Sequence, residues 1–197
     1  MSGDIRLITA DDLCVGAQTI LVGQLGALIE ALGLDERPRG EKPFELPKVW
    51  DQVPTLEALE TAKYPAAAIT STGVVGTPRT TRSGGTNRVD ATFLVRVGIF
   101  DRGPDYNVTA ARIRTWAALV RGVLLLPENA SLGGVASGVR FVTESYRNLR
   151  KEVARTIGGC TVDFHVDVQN IADLSALDVL PVVGSTHSTI SVNNHQE

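Results

Sequence analysis

From Val89 to Phe100 the side chains alternate. Val89, Ala91, Phe93, Val95, Val97 and Ile99 fall on one face, with Asp90, Thr92 and Arg96 opposite. Only an extended strand places every second residue on the same side, so this segment predicts a strand with one covered face and one open face. Val139 to Tyr146 and Cys160 to Val168 repeat the pattern more briefly, and Ala66 to Thr72 reads as a short buried strand. Sheets with one wet face are antiparallel as a rule, and their dry face needs a cover.

Two helical segments are available as that cover. The first is expected from about Ala10 to Leu34, with Thr9 as cap and Asp12 as the reciprocal capping-box acid. Leu21, Leu25, Leu28 and Leu32 form one stripe, while Val15, Ile20, Val22 and Ile29 are apolar elsewhere around the helix. A helix apolar on several faces wants more than one neighbour, and a second subunit is an expected one. The second helix follows the turn Asp101-Arg102-Gly103-Pro104, is capped by Asp105 or Asn107, and ends before Pro127. Ile113, Trp116, Val120 and Val123 make its inner stripe, with Arg112, Arg114 and Arg121 pointing elsewhere. The predicted architecture is α+β: a small, mostly antiparallel sheet with two main helices packed on one face.

The remaining segments are punctuation. Residues 35–54 carry four prolines and mixed charge, which reads as an extended insertion anchored by Phe44 and Trp50. Thr55 to Lys63 suits a short helix that Tyr64-Pro65 stops. Residues 73–88 hold four glycines and three arginines without an acid, a flexible loop or the tip of a long hairpin. A Lys/Arg-rich bend is expected between the last two strands. Residues 1–171 then form a single domain, and 172–197 a partly disordered C-terminal extension.

Composition narrows the function. The net charge of −3 disfavours a general nucleic-acid binder, but the charges are segregated. Residues 1–64 have 6 bases against 11 acids, residues 65–162 have 13 bases against 6 acids, and residues 163–197 have five acids and no base. Such blocks favour head-to-tail association or steering of a partner. The uncharged run Leu13–Ile29 falls short of the ~20 residues of a membrane span and is interrupted by Gln18, Thr19 and Gln24. No membrane role is expected. Cys14 and Cys160 have no metal or redox spacing and suit buried positions in a reducing compartment.

There is no phosphate-binding glycine loop with its lysine, no dinucleotide fingerprint and no nucleophile elbow. Asp163, His165 and Asp167 share one face of the last strand and could in principle approach a divalent ion. Same-face neighbours on one strand stand ~7 Å apart, which is poor for chelation. The alternation with Phe164, Val166 and Val168 already explains them as a wet face. No catalytic, cofactor or metal residue is therefore expected.

Several stretches together carry a likeness of layout. They are the apolar first helix, Tyr64-Pro65-Ala66-Ala67-Ala68-Ile69, the Gly/Arg-rich loop, the alternating strand ending in Asp101-Arg102-Gly103, the helix through Arg112 to Leu126, Glu144-Ser145-Tyr146, and the strand 160–168. In this order, over residues 10–171, the chain resembles the tail terminator proteins of long-tailed bacteriophages, especially those of actinobacterial hosts. The resemblance implies a structural protein without enzymatic turnover. It would form a homo-oligomeric, hexameric ring that caps the tail tube, ends its polymerisation and joins the tail to the neck. Its partners would be the tail tube protein and a neck or connector protein, with DNA passing through the lumen and no sequence-specific binding. It would sit at the head-proximal end of the tail in the virion, after assembly in the host cytoplasm. Arg79, Arg82, Arg88, Leu21 and Leu25 are the residues expected at a subunit or tube interface. Another head–tail joint protein, or a small metal-dependent enzyme built on 163–167, are the alternatives.

Overall fold

The alternating segment becomes the spine of a sheet. The structure, a computed structural model, describes residues 6–36, 43–51, 64–83, 86–152 and 155–173. Its longest strand, β5 (Thr86–Gly103), pairs antiparallel with β3 (Ala66–Val74) on one side and β7 (Arg155–Val168) on the other. β6 (Gly138–Glu152) continues the sheet beyond β7, and β2 (Val49–Asp51) lies parallel to β3 at the opposite edge. The strand order is β2-β3-β5-β7-β6, with β4 (Arg79–Ser83) paired to β5 off this path. A two-residue pairing of β1 (Arg6–Leu7) with β8 (Ala172–Asp173) ties the two ends of the described chain together.

Register explains which face is dry. Val95 lies opposite Phe164, Val97 opposite Val162 and Ile99 opposite Cys160, so the odd residues of β5 and the even residues of β7 share a face. All six are buried, and α1 (Ala10–Ala31) and α2 (Tyr106–Leu124) lie on that side. α1 packs on β3 and on α2, which in turn covers β5 and β7. The expected α+β layout, with both helices on one face, is the observed one. Each large apolar side chain sealed here contributes roughly 1.5–3 kcal/mol relative to exposure.

The helix ends follow the sequence signals. The Thr9 N–H donates to Asp12 Oδ2 at 2.7 Å, and the Asp12 N–H donates back to Thr9 Oγ1 at 3.3 Å, a closed capping box. At the other end Gly33 adopts a φ of 61°, and the Leu34 N–H reaches Ile29 O at 3.0 Å. With the Gly33 N–H on Glu30 O at 2.9 Å, this is a Schellman stop, so the helix ends three residues before Leu34. Leu32 is consequently outside the helix and exposed, and the inner stripe runs through Leu13, Cys14, Ala17, Leu21, Leu25 and Ile29 instead. At 22 residues α1 has the length and apolarity to cross a membrane, yet this stripe faces the protein's own core. α2 is capped by Asp105, whose carboxylate accepts from the Val108 N–H at 2.9 Å.

Two expectations change. Asp101-Arg102-Gly103 is still strand, because β7 continues beside it to pair Gly103 with Thr156. The basic segment between the last two strands is mostly strand rather than bend: β6 and β7 extend into it from both sides, and their antiparallel register reaches Glu152 and Arg155. Of the two readings of residues 73–88, the structure takes the hairpin: 79–83 pair with 86–90. Of the extension expected over 172–197, residues 172–173 are strand β8, paired with β1; the remaining residues 174–197 and the helix expected over 55–63 lie outside the described residues.

Glycines let α2 sit down on the sheet. A Cβ at Gly158 would stand 2.9 Å from Thr109 Cγ2 and 3.0 Å from Ile113 Cγ1, and one at Gly103 would meet Thr109 as closely. Close approach of helix to strand is why both positions lack a side chain. Cys14 and Cys160 are both buried, as expected, and free. Burial pushes their thiols to about 11 and about 12.

Candidate assembly surfaces

The arginine segment forms an arm. β4 pairs only with β5, in the register Arg79 with Asp90, Thr81 with Arg88 and Ser83 with Thr86. Residues 86–90 of β5 have no partner in the main sheet, whose pairing with β7 begins at Ala91. The two-stranded arm thus projects past the body. Arg79 and Arg88 are exposed on it, and Arg82 pairs opposite Asn87, its side chain outside the described set.

At the root of the arm lies an open cleft of about 480 Å³ between residues 75–79, Asp90, Thr92, Arg140 and Asp167. It opens onto the uncovered face of the sheet, which carries two acid–base pairs. Arg96 grips Asp163 with two bonds of 2.7 Å. Arg140 grips Asp167 at 2.9 and 3.0 Å, and Thr92 Oγ1 donates to the same carboxylate at 2.6 Å. Burial alone would raise the Asp167 carboxyl, but the bonds from Arg140 and Thr92 outweigh it and hold it below the usual carboxylate range. Between the two pairs His165 lies in register with Leu94 and Arg140. The stripe Asp163, His165, Asp167 lies on the helix-free face as expected, but it is not simply wet: Asp163 is buried beside Arg96, His165 and Asp167 are half-buried, and Phe164, Val166 and Val168 are buried behind them. Among the described residues no three His, Cys, Asp or Glu side chains are grouped to hold a metal ion.

A second polar cluster is hidden under α2. Arg112 is not on the outer face of the helix; it is buried against Asp101, which no solvent reaches. Asp101 Oδ2 accepts from Arg112 Nε and from Trp116 Nε1, each at 2.9 Å, and its other oxygen takes the Arg102 N–H at 2.8 Å. Phe44 of the proline-rich segment lies beneath the guanidinium at 4.4 Å and tilts against Trp116 at 5.1 Å. The cluster pins the insertion to the body through Phe44. Trp50 is anchored more locally, its Nε1 donating to Pro47 O at 3.0 Å. Nothing in the spacing of Asp101 and Arg112 marks them as a pair, because Asp101 reads as turn and the helix periodicity puts Arg112 at the stripe's margin.

Among the described residues, α1 and β6 each leave apolar surface exposed. On α1, Val15, Val22, Gly23 and Ala27 are exposed, with no charge between Asp12 and Glu30. Leu21 and Leu25, the residues expected to meet a neighbour, have no exposed surface at all. They are spent on the chain's own core, so any contact through α1 uses its opposite side. On the edge strand β6, Phe141, Val142 and Tyr146 are each about 40 % exposed. Arg121 spans Phe141 and Glu144, and the Tyr146 hydroxyl donates to Glu144. Partial burial, then that Glu144 bond, pushes the Tyr146 hydroxyl up to about 12.

No known protein family and no curated protein matches the chain. Among solved structures, a chain from the virion of a native gene transfer agent particle is similar, with 14 % identity and a TM-score of 0.39 over 79 % of this chain and 93 % of that one.

Proposed function

We propose that this chain is a structural virion protein which forms a ring on the phage tail tube, ends tube growth and joins the tail to the neck, without catalytic turnover. The observation that carries this reading is the β4–β5 arm, two strands whose ladder joins them only to each other, tethered at the root where Val89 O and Asp90 Oδ1 accept from the Ile171 and Asn170 N–H groups, and carrying exposed Arg79 and Arg88. Two isolated strands are marginal in water and gain stability when another surface covers them. Its basic charge suits an acidic surface on a neighbouring subunit or the tube protein. The open sheet face supports the same reading, since Asp163 and Asp167 are held by Arg96 and Arg140 rather than turned toward a substrate.

The test is to add the purified chain to growing tail tubes and measure their lengths by electron microscopy. Growth should stop, with a ring of extra density at one end of each tube. Tubes that keep growing and carry no added density would refute the proposal.

A further inference from the structure

We infer that the outer side of α1 on one copy docks against the β6 edge of the next copy, forming a head-to-tail contact; this rests on the ring reading and names its interface. Four observations lead there.

The first is placement. α1 lies over β3 near one edge of the sheet, and β6 is the opposite edge. Two different patches on opposite sides of one molecule make heterologous contacts, which close into rings or grow into filaments.

Length is the second. Val15 to Ala27 covers about 18 Å along the helix axis. Phe141 to Tyr146 covers about 16 Å along the strand. The two stretches match in length.

Charge is the third. The α1 strip is flanked by Asp11 and Asp12 at one end and Glu30 at the other, without a base. The β6 patch is flanked by Arg121, by Arg114 two turns earlier on the same side of α2, and by Arg147 on the edge strand, against Glu144 alone. Opposite signs face each other when the strips are laid together, and like faces repel, which favours head-to-tail over symmetric pairing.

The fourth is Gly23. A Cβ at Gly16 would stand 2.8 Å from Leu132 O, and one at Gly26 3.5 Å from Leu46, so those two glycines have neighbours within the chain. Gly23 has nothing within 4 Å. An exposed mid-helix glycine destabilises the helix for no benefit to the single copy, whereas it lets a neighbouring backbone or aromatic ring approach closely. Edge-on strand pairing is the less suitable mode for β6, because bulges at Phe141/Thr143 and Asn148/Arg150 break its ladder.

The experiment uses two variants of the full chain, Val22→Glu and Tyr146→Glu, each spoiling one face. Native mass measurement over a wide concentration range, with and without tail tubes, reads the outcome. Wild type should form closed or extended oligomers, and each variant alone should associate at least tenfold more weakly. An equimolar mixture should give a 1:1 dimer and nothing larger, because one intact α1 strip and one intact β6 edge remain. Tyr146→Phe should associate like wild type, and unchanged Trp116 fluorescence in both glutamate variants confirms that they are folded. Variants that oligomerise as well as wild type, or folded variants whose mixture yields no dimer, would overturn this interface and leave the ring reading standing. A wild-type chain that stays monomeric with and without tubes would overturn both.

Discussion

Arg112 Nη2 lies 2.8 Å from Asp101 Oδ2, with both side chains sealed from solvent. A buried pair is a poor source of net stability, but removing one partner strands the other charge. Asp101→Ala or Arg112→Ala should therefore cost roughly 3–5 kcal/mol in urea unfolding. Asp101→Ala should also change Trp116 fluorescence, since it removes the acceptor of Trp116 Nε1. Replacing both at once, as Asp101→Leu with Arg112→Met, should recover most of the loss. A single-variant loss below ~1 kcal/mol, the range of exposed pairs, would show that the cluster is not sealed in solution.

Two glycines of α1 should respond in opposite directions. Gly16→Ala drives a methyl group into Leu132 O, a backbone atom that cannot swing aside, and should lower the melting temperature. Gly23→Ala meets open space and should raise the stability of the isolated chain by up to about 1 kcal/mol, the helix-propensity difference. Thermal unfolding of dilute protein compares them directly. Equal effects of both substitutions would contradict the packing of residues 131–135 on α1.

Acid sensitivity should report on Asp167. Its folded carboxyl is held below the ordinary value of 3.8, so its contribution to stability is complete above that value. It is lost as pH falls through the lower folded value, where the unfolded state binds the proton first. Urea midpoints measured from pH 5 down to pH 2 should fall less steeply for Asp167→Asn than for wild type. Identical slopes would mean that Arg140 and Thr92 do not hold the ionised carboxylate.

The arm should matter to assembly and not to folding. Alanine at exposed Arg79 or Arg88 should change stability by no more than ~0.5 kcal/mol, and alanine at Arg82 completes the triple variant. The triple variant should bind the ring or tube more weakly, and with less dependence on salt. Binding assays across a salt series, without DNA, would show this. If assembly is untouched while DNA retention changes, the arm serves the nucleic acid.

Alternation, capping residues and stops are local, and the sequence by itself determined what they control. Val89–Phe100 had to be a strand because only a strand sorts those side chains onto two faces. Thr9, Asp12 and Asp105 set helix starts, because a cap needs only the next three residues. That Asp163, His165 and Asp167 share one face was legible for the same reason, but the burial of Asp163 beside Arg96 was not. What tertiary structure alone decided was how neighbours distant in sequence share surface. Arg112 went inside because Asp101 and Phe44 converge on it, and helical periodicity cannot register an acid on a neighbouring strand. Leu21 and Leu25 were claimed by the core and Val15 and Val22 left outside, because which side of an over-apolar helix is buried depends on where β3 and α2 lie. The 73–88 segment became an arm because β5 runs on past the end of its pairing with β7, and where a partner strand stops is a property of the sheet and not of the segment.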